Sequence, residues 1–153
     1  MIVRCDQEVF EMFPEASVHG IVFDGLATFD PAAVARWKQR AIDSVASSGF
    51  TSETVLDAPA VKDWRNTFQR FGVKPSKYRS SIEQLYRRAL KQEIIETSLP
   101  LVNLNRAIFL ADSASHESES RAADAIALLA DAISGATELN RFVLNRANSS
   151  ATV

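Results

Sequence analysis

Residues 62–91 read KDWRNTFQRFGVKPSKYRSSIEQLYRRALK, a pattern that two amphipathic helices joined by a short loop account for. Val61, Trp64, Phe68 and Phe71 recur at intervals of three and four, so they share one helical face, and the spacing predicts a helix that buries an aromatic stripe. Gly72 stops it. Val73 to Tyr78 is a loop, because Pro75 and Ser76 break the period. Ser80 followed three residues later by Glu83 has the form of a capping box, which opens a second helix. Its apolar face carries Ile82, Leu85, Tyr86, Ala89 and Leu90, with Arg87, Arg88 and Lys91 opposite at about 100° per residue.

The same stretch is strongly basic. It holds Lys62, Arg65, Arg70, Lys74, Lys77, Arg79, Arg87, Arg88 and Lys91 against two acids, Asp63 and Glu83, a local charge of 9 − 2 = +7. The whole chain has 17 basic and 19 acidic residues, net −2, so the remainder sums to −9. Basic runs are commonly no more than solvated surface. A local +7 set against −9 elsewhere polarises the field of the protein and favours a site for a polyanion, chiefly nucleic acid. The residues expected to contact RNA are Arg65, Arg70, Lys74, Lys77, Tyr78, Arg79, Arg87, Arg88 and Lys91, the cations by neutralising phosphates. Tyr78 sits in the basic loop, where stacking on a base and a purely structural role stand level. Trp64 is assigned to the core with Phe68 and Phe71.

Outward from this centre, Ile2 to Arg4 reads as a short strand, and Asp6 as the cap of a brief helix that reaches Phe13 before Pro14. Ser17 to Leu26 is β-rich and closes on Asp24-Gly25. Asp30-Pro31 opens a helix whose face is Val34, Trp37, Ala41 and Val45, with Gly49 as its stop. Arg106 to Asp112 reads as a buried strand. Ser115 to Ser134 is an alanine-rich helix stopped by Gly135, Thr137 to Asn145 a last strand, and residues 147–153 a fraying tail. Short strands around a helical middle predict an α+β class, a mixed β-sheet with packed helices, in a single domain spanning 1–153.

Other chemistry is sparse. One cysteine excludes an internal disulfide and a cysteine-based zinc site, and Cys5 reads as a small core residue. His19 falls in a strand pattern. His116 follows Ser115, which reads as a helix cap rather than a nucleophile beside its base. Asp112, at a predicted strand end, is the best isolated carboxylate, and a loop-capping role accounts for it better. Neither a glycine-rich phosphate loop nor a metal-ligand spacing occurs, so no metal or organic cofactor is expected. No apolar run reaches membrane length, and Met1 to Asp6 lacks a basic head followed by a long apolar stretch, so the expectation is a cytoplasmic protein without a membrane partner.

The run from Asp63 to Lys91, above all Phe71-Gly72-Val73-Lys74-Pro75-Ser76-Lys77-Tyr78-Arg79-Ser80-Ser81, resembles the tRNA-editing domain of the phenylalanyl-tRNA synthetase β subunit, the B-three/B-four domain, in its freestanding form. The opening with Asp6, Val9, Phe10 and Phe13-Pro14, the Gly20-to-Gly25 strand, and Asn105 to Leu110, likened to the family's late strand, extend the resemblance over most of the chain. It implies an α+β domain that binds the acceptor end of tRNA and, in trans, deacylates mischarged aminoacyl-tRNA. Freestanding members are much longer. Pro100-Leu101-Val102-Asn103-Leu104 matches the entry to their β-rich middle, with Asn103 in place of the usual acid and a candidate pocket residue. Asn105-Arg106 then passes directly to the late segment. Either the homologue is naturally shortened or an internal stretch is omitted, and the sequence leaves both open. Because that middle supplies much of the editing pocket, no catalytic residue carries over. The alternative function is a non-catalytic RNA- or protein-binding module descended from that domain. The shortening also predicts exposed sheet edges and a homodimer that covers them.

Overall fold

A computed structural model describes residues 1–24, 31–93, 96–114 and 138–152. They sort into two compact units, one from Met1–Thr28 with Ala122–Val153 and one from Phe29–Arg121.

The first unit contains β1 (Ile2–Arg4), α1 (Gln7–Met12), β2 (Val18–Asp24), β3 (Glu138–Leu144) and β4 (Ser150–Thr152). β1 pairs antiparallel with β4, and β2 pairs antiparallel with β3 from Val18 opposite Leu144 to Asp24 opposite Glu138. Both described ladders are two-stranded and antiparallel, so the architecture is α+β, while the mixed sheet expected from the sequence is not found among the described residues. Gly20 faces Phe142 in this ladder, and a Cβ there would sit 2.3 Å from the phenyl ring, so glycine is what lets the ring lie across the strand. Residues 150–152, read as part of a fraying tail, are the strand partner of β1. β1 is where the sequence places it, and its partner lies nearly a chain length away, so no local signal marks the pairing.

The second unit is helical: α2 (Pro31–Ser47), a 3₁₀ turn at Val55–Asp57, α3 (Pro59–Arg70), α4 (Ser81–Ala89) and α5 (Pro100–Ala114). α2 packs along α5, and α4 touches α2, α3, α5 and the 3₁₀ turn. Its core joins Ala41 and Val45 of α2, Val55 and Ala58 of the turn, Val61 of α3, Ile82, Tyr86 and Ala89 of α4, and Ala107, Leu110, Ala111 and Ala114 of α5. The buried Tyr86 hydroxyl donates to the Ser113 carbonyl at 2.7 Å, which pins α4 to the end of α5. No helix among the described residues is long and apolar enough to cross a membrane.

α5 overturns the expected strand at 106–112. Pro100 occupies the first helical position, and Leu104, Ala107, Ile108, Ala111 and Ala114 are buried at intervals of three and four. A short apolar run fits either state by composition, and burial of a broad helical face against α2 decides for the helix. Asp112 therefore lies buried inside a helix rather than at a strand end. The predicted Asp24-Gly25 turn, the Asp30 cap, and the helix from Ser115 to Ser134 with its Gly135 stop fall on or extend into residues outside those described, as does His116.

Candidate nucleic-acid interface

α3 and α4 are adjacent helices of the second unit, and each presents two faces. On α3, Trp64 and Phe68 are four residues apart and share one face; Arg65 lies one residue, about 100°, around the axis. On α4, Ser81, Leu85 and Arg88 share one face, while Glu83 and Arg87 lie about 150° around the axis, on the far side. The first pair of faces borders a groove, and the second pair meets in an ionic cluster.

The groove has a volume of about 810 Å³ and is bounded by α3, α4 and α5. Trp64 and Phe68 of α3 lie on one side, edge to face with ring centroids 6.0 Å apart and planes at 74°. α4 contributes Leu85 and Arg88, and α5 contributes Val102, Asn105, Arg106, Phe109 and Ser113. Trp64 is half exposed, which corrects its assignment to a buried aromatic stripe. Phe71 is half exposed too, and among these four residues Val61 is the buried one. The stripe is helical as predicted. It faces a cleft because the helix turns its Val61 end, not its whole length, into the core.

The ionic cluster is centred on Glu83, which is 1% exposed. Arg65 Nη1 donates to Glu83 Oε2 at 3.0 Å, Arg87 Nε donates to Oε1 at 3.1 Å, and Arg79 Nε lies 3.6 Å from Oε1. Arg87 Nη1 also donates to the Ser52 carbonyl at 3.3 Å. Ser80 caps α4 by accepting from the Glu83 backbone N–H at 3.3 Å, as the capping motif requires. The return half of the box is replaced: the Glu83 carboxylate turns to the three guanidiniums. A carboxylate this buried needs such partners, since an isolated charge would be costly to desolvate.

The other expected contacts are spread around this centre. Lys74, Lys91 and Arg70 are exposed on the loop and the helix ends. Tyr78 is exposed, with Lys77 Nζ 5.3 Å from its ring centroid, a cation–π arrangement that leaves the ring on the surface. Asn103 does not border the groove. Its side chain accepts from the Thr97 N–H at 2.8 Å and donates to the Thr97 carbonyl at 2.9 Å, which fixes the approach to α5. It borders a separate cleft of about 490 Å³ with Pro31, Lys38, Gln39, Glu96 and Pro100, where Lys38 pairs with Glu96. Arg106 and Phe109 are among the groove residues of α5 that sequence reading missed. The signal was there: Val102, Arg106, Phe109 and Ser113 recur at intervals of four, three and four once 100–114 is read as a helix.

No protein-family model, no characterised protein and no solved structure matches the chain. Leu104, Asn105 and Arg106 occupy consecutive positions in α5, so the stretch likened to the family's late strand is helical.

Proposed function

We propose that the chain binds tRNA through its unpaired acceptor end, as the resemblance to the phenylalanyl-tRNA synthetase editing domain implies, with removal of a mischarged amino acid as the associated reaction. The observation that carries this is the groove, where two aromatic rings of α3 stand beside Arg88 and Arg106. Single-stranded RNA is held by that combination: rings stack on bases irrespective of sequence, and cations follow the backbone. A groove of this size has room for a nucleotide or two. The basic loop from Lys74 to Arg79 extends the positive field beyond the groove, where a duplex stem carries its phosphates.

A filter-binding titration with uncharged tRNA over a range of salt concentrations tests this reading. Tight binding at low salt that weakens steeply as salt rises supports it, and either absent binding or salt-independent binding refutes it.

α5 favours a second reading, a binding module that does not hydrolyse. The helix runs straight through the point at which the family's β-rich middle enters, and residues 105–114 continue it. Hydrolysis needs a positioned water and donors for the oxyanion. A deacylation assay with tRNAs charged with several amino acids separates the two readings. Release above the uncatalysed rate supports the enzyme, and binding without release supports the module.

A further inference from the structure

We propose that Arg65, Arg79 and Arg87, gathered on the buried carboxylate of Glu83, form a preorganised clamp for a backbone phosphate of single-stranded RNA. The proposal rests on the RNA-binding reading and adds a second contact point, on the side of α4 away from the groove.

Three guanidiniums and one carboxylate give the cluster a charge of 3 − 1 = +2. The carboxylate is inside and the cations reach outward: Glu83 is 1% exposed, Arg65 24%, Arg87 29% and Arg79 56%. Each guanidinium has five N–H donors in a fixed fork, and Glu83 engages one nitrogen of each. Each fork keeps nitrogens that Glu83 does not engage, one of Arg87's being held by the Ser52 carbonyl, and all three guanidiniums stand around one point. A tetrahedral phosphate with several acceptor oxygens suits such a set. An arginine that grips phosphate from a mobile state loses rotamer freedom on binding. Here Glu83 has already imposed that loss on Arg65 and Arg87, with the Ser52 carbonyl holding Arg87 from the other side, while Arg79 is the exposed member held by charge alone. Glu83 is thus a positioning residue, and the arginines are the contacts.

The two explanations of the cluster differ in sign. If charge alone matters, Glu83→Gln raises the cluster from +2 to +3 and tightens RNA binding. If preorganisation matters, the same change releases the forks and weakens it. The measurement is fluorescence anisotropy of a short, labelled single-stranded RNA with the full chain at several salt concentrations, with circular dichroism to verify folding. For Glu83→Gln the clamp predicts affinity lower by about five- to tenfold despite the added positive charge. Affinity equal to or above that of the native chain overturns the clamp and leaves RNA binding intact. Should Glu83→Gln not fold, Arg79→Lys takes its place at an exposed position that keeps charge and removes the fork. A loss of about threefold or more supports the clamp, and anything smaller overturns it. If the native chain binds no RNA, the reading under Proposed function fails. The clamp is then judged with pyrophosphate, following the arginine side-chain N–H resonances of the full chain: saturable shifts at Arg65, Arg79 and Arg87 support it, and their absence overturns it.

Discussion

α3 and α4 are neighbours drawn from one basic stretch, and they use their residues in opposite ways. Nine-residue α4 buries Ile82, Glu83, Tyr86 and Ala89, while twelve-residue α3 buries Val61 alone among its described side chains. α4 is the anchored scaffold. α3 is carried on it, held partly by Arg65 reaching into Glu83, and turns Trp64 and Phe68 toward the groove. One buried charge on α4 engages a cation from α3, one from the loop before α4 and one from α4 itself. The exposed aromatic rings lie on the helix with the smaller buried face, and it is this face that the proposed RNA binding uses.

The largest effect should come from removing the charge that links the two helices. Glu83→Ala leaves three guanidiniums without their shared acceptor. The expected loss is about 2–3 kcal/mol, near the low end for an orphaned buried ion pair because the arginines keep partial contact with water. Urea denaturation reads it as a fall in the midpoint, with the slope unchanged if the fold is retained. A change below about 0.5 kcal/mol would mean the cluster is ordinary surface charge.

Trp64→Ala tests the platform. The ring is half exposed and lies at the groove, so its loss should reduce RNA affinity by about 1–3 kcal/mol, the range for a stacked base. Stability should move by under about 1 kcal/mol, since little of its surface is in the core. Reversal of these two magnitudes would make Trp64 a core residue after all. On α4 the matching change is Tyr86→Phe, which removes the hydroxyl bond to the Ser113 carbonyl. It should cost about 1 kcal/mol of stability and leave RNA affinity unchanged.

Much of this arrangement was legible in the residues, and the exceptions have physical causes. β1, β2, α2, α3 and α4 follow from periodicity and from the punctuation at Pro31, Gly49, Gly72 and Ser80. α5 was hidden because Ala107 to Ala111 is a short apolar run, which a buried strand and a buried helix write in the same letters. The groove was hidden with it, since Arg106 and Phe109 come from α5. Trp64 was misplaced because periodicity identifies the residues that share a face but not what the face meets. Counting charge gave +7 for the basic segment and missed that a single acid engages three of its cations. β4 depends on pairing across the chain, which no window of local sequence contains.

The smallest expected effects lie where α3 and α4 are most alike, at their C-terminal ends. Both close with the same pair of backbone bonds. Gly72 N–H reaches the Gln69 carbonyl and Val73 N–H the Phe68 carbonyl, each at 2.9 Å; Gln92 N–H reaches Ala89 and Glu93 N–H reaches Arg88, each at 2.8 Å. The motif needs a left-handed residue at its turn, and both supply one, with φ of 73° at Gly72 and 58° at Gln92. Glycine takes that conformation without strain, whereas glutamine crowds its Cβ against the following carbonyl, at a cost of about 1 kcal/mol or more. Gly72→Ala should therefore destabilise by about 1 kcal/mol, even though nothing lies within 4 Å of the added methyl, because the penalty is backbone strain and not collision. Gln92→Gly should stabilise by about 0.5 kcal/mol, the relief of strain less the extra freedom glycine gives the unfolded chain. Thermal melts of the two variants should move in opposite directions, and a shift of the same sign in both would show that the ends of α3 and α4 do not share one stereochemical rule.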